Sequence, residues 1–165
     1  MGNTPDGMTE AEQRIWADFY DMQVLFWRRM AQRLQRDTGL SEPDLAILRA
    51  LLDAPERRLR GYELAGVTQF EKSRLHHHIG RMEARGLVVR ESTPTQPRAA
   101  VVALSEAGEK AITEALPKRE EHIRHWLLDS LEPAQVEALG GISRTVLERL
   151  RDEEADEDEP AGGGC

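Results

Sequence analysis

Apolar side chains recur every three or four residues over much of the chain, the spacing of helices with one buried face. Trp16, Phe19, Tyr20, Gln23, Trp27, Met30 and Leu34 share one side at about 100° per residue, which predicts a long first helix. Thr9 with Glu12 three residues on forms a capping box at its start, and Gly39 ends it just after Arg36 or Asp37. Ser41-Glu42-Pro43-Asp44 opens a second helix, a cap followed by proline in the first turn. Leu45, Leu48, Leu51 and Leu52 face its core, and Pro55 stops it. A short helical segment, Gly61 to Gly66, and a turn from Val67 to Phe70 lead into another helix over about Glu71–Arg85. Its inward stripe is Leu75, His78, Ile79 and Met82, and Gly86 closes it.

The period then changes. Leu87-Val88-Val89-Arg90 and Ala100-Val101-Val102-Ala103-Leu104 are β-rich runs around a turn-rich stretch from Thr93 to Arg98, which predicts a hairpin with a long, mobile tip. Ser105 caps a long helix that Pro117 interrupts without ending, and Glu132-Pro133 begins the last helix, with Val136, Leu139, Ile142, Val146 and Leu150 as its stripe. The fold class is mainly α with one small β-hairpin, and no internal repeat appears. Both terminal helices carry apolar stripes, which must be buried against each other, against the middle, or against another copy.

Composition narrows the classes. A chain of 165 residues supports one well-cored domain or two small lobes, and 39% hydrophobic with 32% charged residues excludes wholesale disorder. No apolar run approaches a membrane span, and the first residues lack the basic and apolar regions of a secretory signal. The single cysteine, Cys165, makes no internal disulfide or thiolate zinc site, which fits a cytoplasmic protein. The net charge of -8 is uneven: residues 152–159 hold seven carboxylates and no base, and without them 23 acids face 22 bases. Between Arg57 and Arg98 nine bases stand against four acids. A basic middle fits a phosphate-facing surface, or else a solvated face of mixed charge.

The middle also has the layout of a helix-turn-helix followed by a basic-tipped wing. Ala65 is the small residue where two helices would cross. With Leu75 taken as inward, Ser73, His77 and Gly80 point away, flanked by Arg74, Arg81 and His76. Arg74 and His77 carry donors for guanine N7 or O6, His76 is a further DNA-facing donor, and Arg81, one turn on, suits a phosphate. Arg98 in the hairpin tip suits a narrow minor groove.

These residues carry a family resemblance. Leu40-Ser41, Glu63-Leu64-Ala65, Lys72-Ser73-Arg74-Leu75, Arg85-Gly86-Leu87-Val88 and Leu104-Ser105-Glu106-Ala107-Gly108, in this order and spacing, resemble the MarR-type transcriptional regulators over Leu40 to Leu150. The resemblance implies a winged helix-turn-helix lobe and a homodimer formed by the N- and C-terminal helices. It also implies palindromic double-stranded DNA targets, and often release by a small aromatic or phenolic ligand or an oxidant. The chain then divides into an N-terminal dimerisation helix over 9–38, a DNA-binding domain over 40–104 and C-terminal dimerisation helices over 105–151. Residues 1–8 and 152–165 are expected to be disordered. The DNA-binding set is Lys72, Ser73, Arg74, His76, His77, Arg81 and Arg98, and the expected activity is that of a repressor. The chain departs from the family at Gln96, where the wing usually carries Asp, and at Gln69, where the turn usually carries glycine. Thr68 replaces a leucine, and Glu71 would repel a phosphate at the start of the recognition helix.

Other chemistries are weaker. Consecutive His76, His77 and His78 diverge on a helix and do not chelate one ion, and His78 on the apolar stripe reads as a core residue. His122 and His125 are spaced to hold zinc only with a third ligand from elsewhere. Trp16, Tyr20 and Trp27 read as packing, with a share in a ligand pocket under the family reading. No catalytic motif is present and no cofactor is expected. The competing readings are a winged-helix module for protein interaction and a metal-sensing regulator.

Overall fold

A computed structural model describes residues 7–93 and 96–158, with side chains described outside 92–100 and 154–158. Helix α1 runs from Glu10 to Thr38, opened by the Thr9–Glu12 capping box and closed by Gly39 at φ 71°. Helix α2, Glu42–Asp53, opens on a second capping box made by Ser41 and Asp44. After a 3₁₀ turn at Pro55–Arg57, strand β1 (Arg58–Arg60) leads directly into α3, Gly61–Thr68. Helix α4 covers Lys72–Ala84, and strands β2 (Val88–Thr93) and β3 (Gln96–Leu104) follow. Helix α5, Glu106–Trp126, passes through Pro117, and α6 spans Pro133–Asp158.

Three expectations need correction. The wing is a three-stranded antiparallel sheet in the order β1-β3-β2, not a lone hairpin. Arg58, Leu59 and Arg60 pair with Ala103, Val102 and Val101 on the inner side of the hairpin. Pairing also reaches into the stretch expected as a long tip: among the described residues β2 and β3 pair as far as Thr93 with Gln96, past an irregularity between Glu91 and Thr93. Finally, the acidic run is helical through Asp158, where a disordered tail was expected from residue 152.

The chain forms two compact units, Met1–His122 and Ile123–Cys165. The core of the first gathers Leu34 from α1, Leu48 and Leu51 from α2, Leu64 from α3, Leu75 and Met82 from α4, Val102 from β3 and Ile112 from α5. Gly108 lies where the first turn of α5 meets the backbone before β2. A Cβ there would fall 2.0 Å from the Leu87 carbonyl oxygen, so no side chain fits. Ser105 locks the same corner, its hydroxyl donating to the Gly86 carbonyl at 2.6 Å and accepting from the Gly108 N–H at 2.9 Å.

The stripe of α1 divides along its length. Met30 and Leu34 are buried in the core, whereas Trp16 (54% exposed), Phe19 (42%), Tyr20 (56%) and Trp27 (51%) stay open to solvent. Within the second unit, Ile142, Val146 and Leu150 of α6 are also exposed. Large apolar faces left open on two long helices are surfaces that water disfavours.

Candidate nucleic-acid interface

The turn before α4 sets how that helix is presented. Gln69 closes α3 in the left-handed conformation, φ 55° and ψ 29°, the position where the family pattern carries glycine. A side chain costs about 1–2 kcal/mol there, so the turn keeps its geometry with a non-glycine residue.

Glu71 then caps α4, its carboxylate accepting from the Arg74 N–H at 3.0 Å and from the Ser73 hydroxyl. Those bonds, that from the Ser73 hydroxyl first, hold the exposed Glu71 carboxyl down at about 2, against an ordinary value of 4.5. Besides bringing a negative charge to this end of α4, Glu71 starts the helix. There is a consequence for Ser73. With its one proton given to Glu71, the hydroxyl offers lone pairs outward, the complement of an amino group on cytosine or adenine. Because the carboxyl is more acidic folded than unfolded, the stability it adds is complete above about pH 4.5 and fades as pH falls towards about 2. Thermal unfolding followed across that window should show a smaller loss of stability with acid in Glu71→Gln than in the parent protein.

Along α4, Lys72, Ser73, Arg74, His76, His77 and Arg81 are exposed while Leu75, His78, Ile79 and Met82 are buried, so the outward set stands on one solvent-facing surface. The bases of the middle segment sort into two groups. Arg57 pairs with Glu109 at 2.7 Å, Arg58 with Glu91 at 3.1 Å, Arg85 with Asp44 at 2.7 Å and Arg90 with Glu83 at 3.4 Å. Among the described residues no carboxylate pairs with Arg60 at the end of β1, or with Lys72, Arg74 or Arg81 on α4. Arg90, which sequence reasoning left without a role, also donates to the His76 carbonyl at 3.0 Å and ties β2 to α4. It passes close to Gly80, which is half-buried beneath it rather than open to a groove. Arg98 lies in β3, and its side chain is outside the described residues.

Behind the exposed surface lies a buried polar cluster that the sequence did not reveal. Asp44, 2% exposed, accepts from the Ser41 N–H at 2.8 Å and from Arg85 at 2.7 Å. Its other oxygen lies 2.9 Å from His78 Nε2, and His78 Nδ1 is 2.7 Å from an Arg81 amino group. Burial works to raise the Asp44 carboxyl, but the bonds from Ser41, Arg85 and His78 outweigh it and hold the carboxyl below its ordinary value. Two local signs were available beforehand: a capping box that ends on Asp44, and a histidine on an apolar stripe.

The remaining sequence candidates do not converge. Trp16 and Phe19 approach each other at 5.8 Å between ring centroids, and Trp27 packs edge-on against Phe26 at 5.2 Å. Hollows of about 260, 470 and 270 Å³ open beside α4, behind α2 and between α2 and α5, and Trp16, Tyr20 and Trp27 line none of these three. His122 Nε2 lies 3.1 Å from Asp37, and no group of three or more potential metal ligands occurs among the described residues. No helix among them is long and apolar enough to cross a membrane.

Comparison with known proteins places this geometry. The sequence model of the MarR family matches residues 38–99. The transcriptional regulator HosA of Escherichia coli O111:H- is 32% identical over 99 residues, 60% of this chain and 72% of that protein. Sco3205, a MarR family transcriptional regulator from Streptomyces coelicolor solved in complex with DNA, superposes with a TM-score of 0.79 at 32% identity, over 90% of this chain and 93% of that one. AbsC, a MarR family regulator from the same organism, gives 0.78 at 30% identity, over 88% and 98%.

Proposed function

The chain belongs to the MarR family of transcriptional regulators, and from that premise we propose that it binds a pseudo-palindromic duplex operator as a homodimer and acts as a repressor. The observation that carries the reading is the exposed side of α4, where Lys72, Arg74 and Arg81 stand without carboxylate partners among the described residues while Arg57, Arg58, Arg85 and Arg90 are paired. That surface suits the major groove. Arg74, His76 and His77 supply donors to base edges, Ser73 supplies an acceptor, and Lys72 and Arg81 meet phosphates. Arg98 enters the adjacent minor groove. The open apolar faces of α1 and α6 are covered by the second copy, and two-fold symmetry then sets the half-sites about one helical turn apart, roughly 34–36 Å. Such a regulator works in the cytoplasm, where its DNA lies. A small aromatic ligand would release the operator by favouring a dimer with the two recognition helices at another separation.

Selection of binding sites from random duplexes, with and without candidate phenolic compounds, tests the reading, and an inverted repeat should emerge. No sequence preference at modest ionic strength would favour a protein-interaction module instead. Tightly held zinc found by elemental analysis of the purified protein would favour a metal sensor. Arg74→Ala should weaken binding to the selected operator by about 1–3 kcal/mol and relax one base preference. Equal losses on operator and random duplex, measured by fluorescence anisotropy, would remove Arg74 from the base-reading set.

A further inference from the structure

We propose that His78 is a positioning residue for DNA binding: buried behind the recognition helix, it holds Arg81 in the pose that meets a phosphate. The inference rests on the reading of α4 as the DNA-contacting helix and deepens it by assigning a role to a residue that faces away from the groove.

The argument begins with protons. A guanidinium only donates, so His78 Nδ1, 2.7 Å from the Arg81 amino group, carries a lone pair. The ionised Asp44 carboxylate only accepts, so Nε2, 2.9 Å from its Oδ1, carries the ring proton. Both contacts are satisfied by one species, the neutral Nε2–H tautomer, and the bonds run in one direction from Arg81 through His78 to Asp44.

The far end of this chain cannot swing, because Asp44 is also held by the Ser41 N–H and by Arg85, which reaches on to the Gly39 carbonyl at 2.7 Å. The His78 side chain is 11% exposed. Arg81 at the near end is exposed, on the same flank of α4 as Arg74, two turns away. One of its five donors goes to His78, leaving donors for a phosphate. An arginine fixed before binding loses less rotamer freedom on docking than one that must be ordered by the DNA.

Two substitutions separate positioning from packing, because each amide imitates one ring nitrogen. In His78→Gln the amide nitrogen takes the place of Nε2 and keeps Asp44 satisfied, but no acceptor stands at the position of Nδ1 for Arg81. In His78→Asn the carbonyl oxygen takes the place of Nδ1 and keeps Arg81, but the contact with Asp44 is lost. The experiment measures affinity of the full-length protein for a fluorescein-labelled random-sequence duplex over a range of salt, with the thermal midpoint of each variant recorded in parallel. Arg81→Ala should weaken binding and lower the slope of log K against log salt by about 1 per protomer. His78→Gln should lower the slope by the same amount, with no further change when Arg81→Ala is added. His78→Asn should retain the parental slope although it is the less stable of the two. Nitrogen chemical shifts of the His78 ring should report the proton on Nε2.

An unchanged slope in Arg81→Ala would overturn both the phosphate role of Arg81 and this inference. A lowered slope in Arg81→Ala with parental slopes in both His78 variants would overturn the inference alone. So would slopes that follow thermal stability, with Asn worse than Gln, since that is the order expected of a purely structural histidine.

Discussion

Asp44→Ala is expected to lower the unfolding free energy by about 3 kcal/mol or more, enough to bring the thermal midpoint down by roughly 6–12 °C. The carboxylate closes the α2 capping box and accepts from Arg85 and from the His78 Nε2–H, all at 2% exposure. Removing it leaves a buried donor on His78 with no acceptor, and that kind of loss is costly. The Arg85 side chain is 42% exposed and regains water, which keeps the effect towards the lower end of what a broken buried ion pair costs. The same carboxyl makes part of the stability acid-sensitive. Its affinity for protons is lower folded than unfolded, so its contribution is present above the ordinary carboxylate range and is lost as pH falls through the depressed value. Denaturant unfolding of Asp44→Ala with a midpoint equal to that of the parent protein would show the cluster to be energetically idle.

The second large effect concerns association. Replacing both Trp16 and Phe19 by aspartate should convert the proposed dimer to a monomer at micromolar concentration, a loss of about 4 kcal/mol or more in dimer stability, roughly a thousandfold. Both rings are exposed on α1 and lie 5.8 Å apart, so they form one continuous apolar patch within the chain. Two-fold symmetry would place four carboxylates in the closed assembly. Since the buried core contribution of α1 comes from Met30 and Leu34 and not from this part of the helix, the monomer should stay folded. Sedimentation velocity and circular dichroism together check both halves of the expectation. A dimer that survives the double substitution would mean that the first half of α1 does not belong to the interface.

The sequence was most readable where the physics is local. Both capping boxes are signals within four residues, Thr9 to Glu12 and Ser41 to Asp44, and both helices begin where those signals stand. The outward set on α4 followed from angular spacing alone, because Leu75 fixes which way the helix faces. What escaped depended on partners distant in sequence. Arg58-Leu59-Arg60 is too short to show alternation, and it is a strand because Ala103, Val102 and Val101 offer it a ladder. Pro94 and Pro97 read as a loop, yet Pro97 lies inside β3, beyond the irregularity at Glu91 to Thr93. The polar cluster was hidden for the same reason. His78 and Asp44 are 34 positions apart, and nothing within either segment announces the other. The charge of Glu71 was legible, but only the folded turn reveals that its oxygen also caps the following helix.

Because β1 lies on the opposite side of β3 from β2, and runs straight into α3, one sheet joins the hairpin of the wing to the helix pair. Arg90 adds a stitch from β2 to α4 on the outer side. A lobe laced at both edges travels as a block. In the proposed dimer, an adjustment that brings two such blocks nearer or farther apart along a duplex would arise where the chain leaves the block, in the parts of the long helices beyond the core contacts of Leu34 and Ile112.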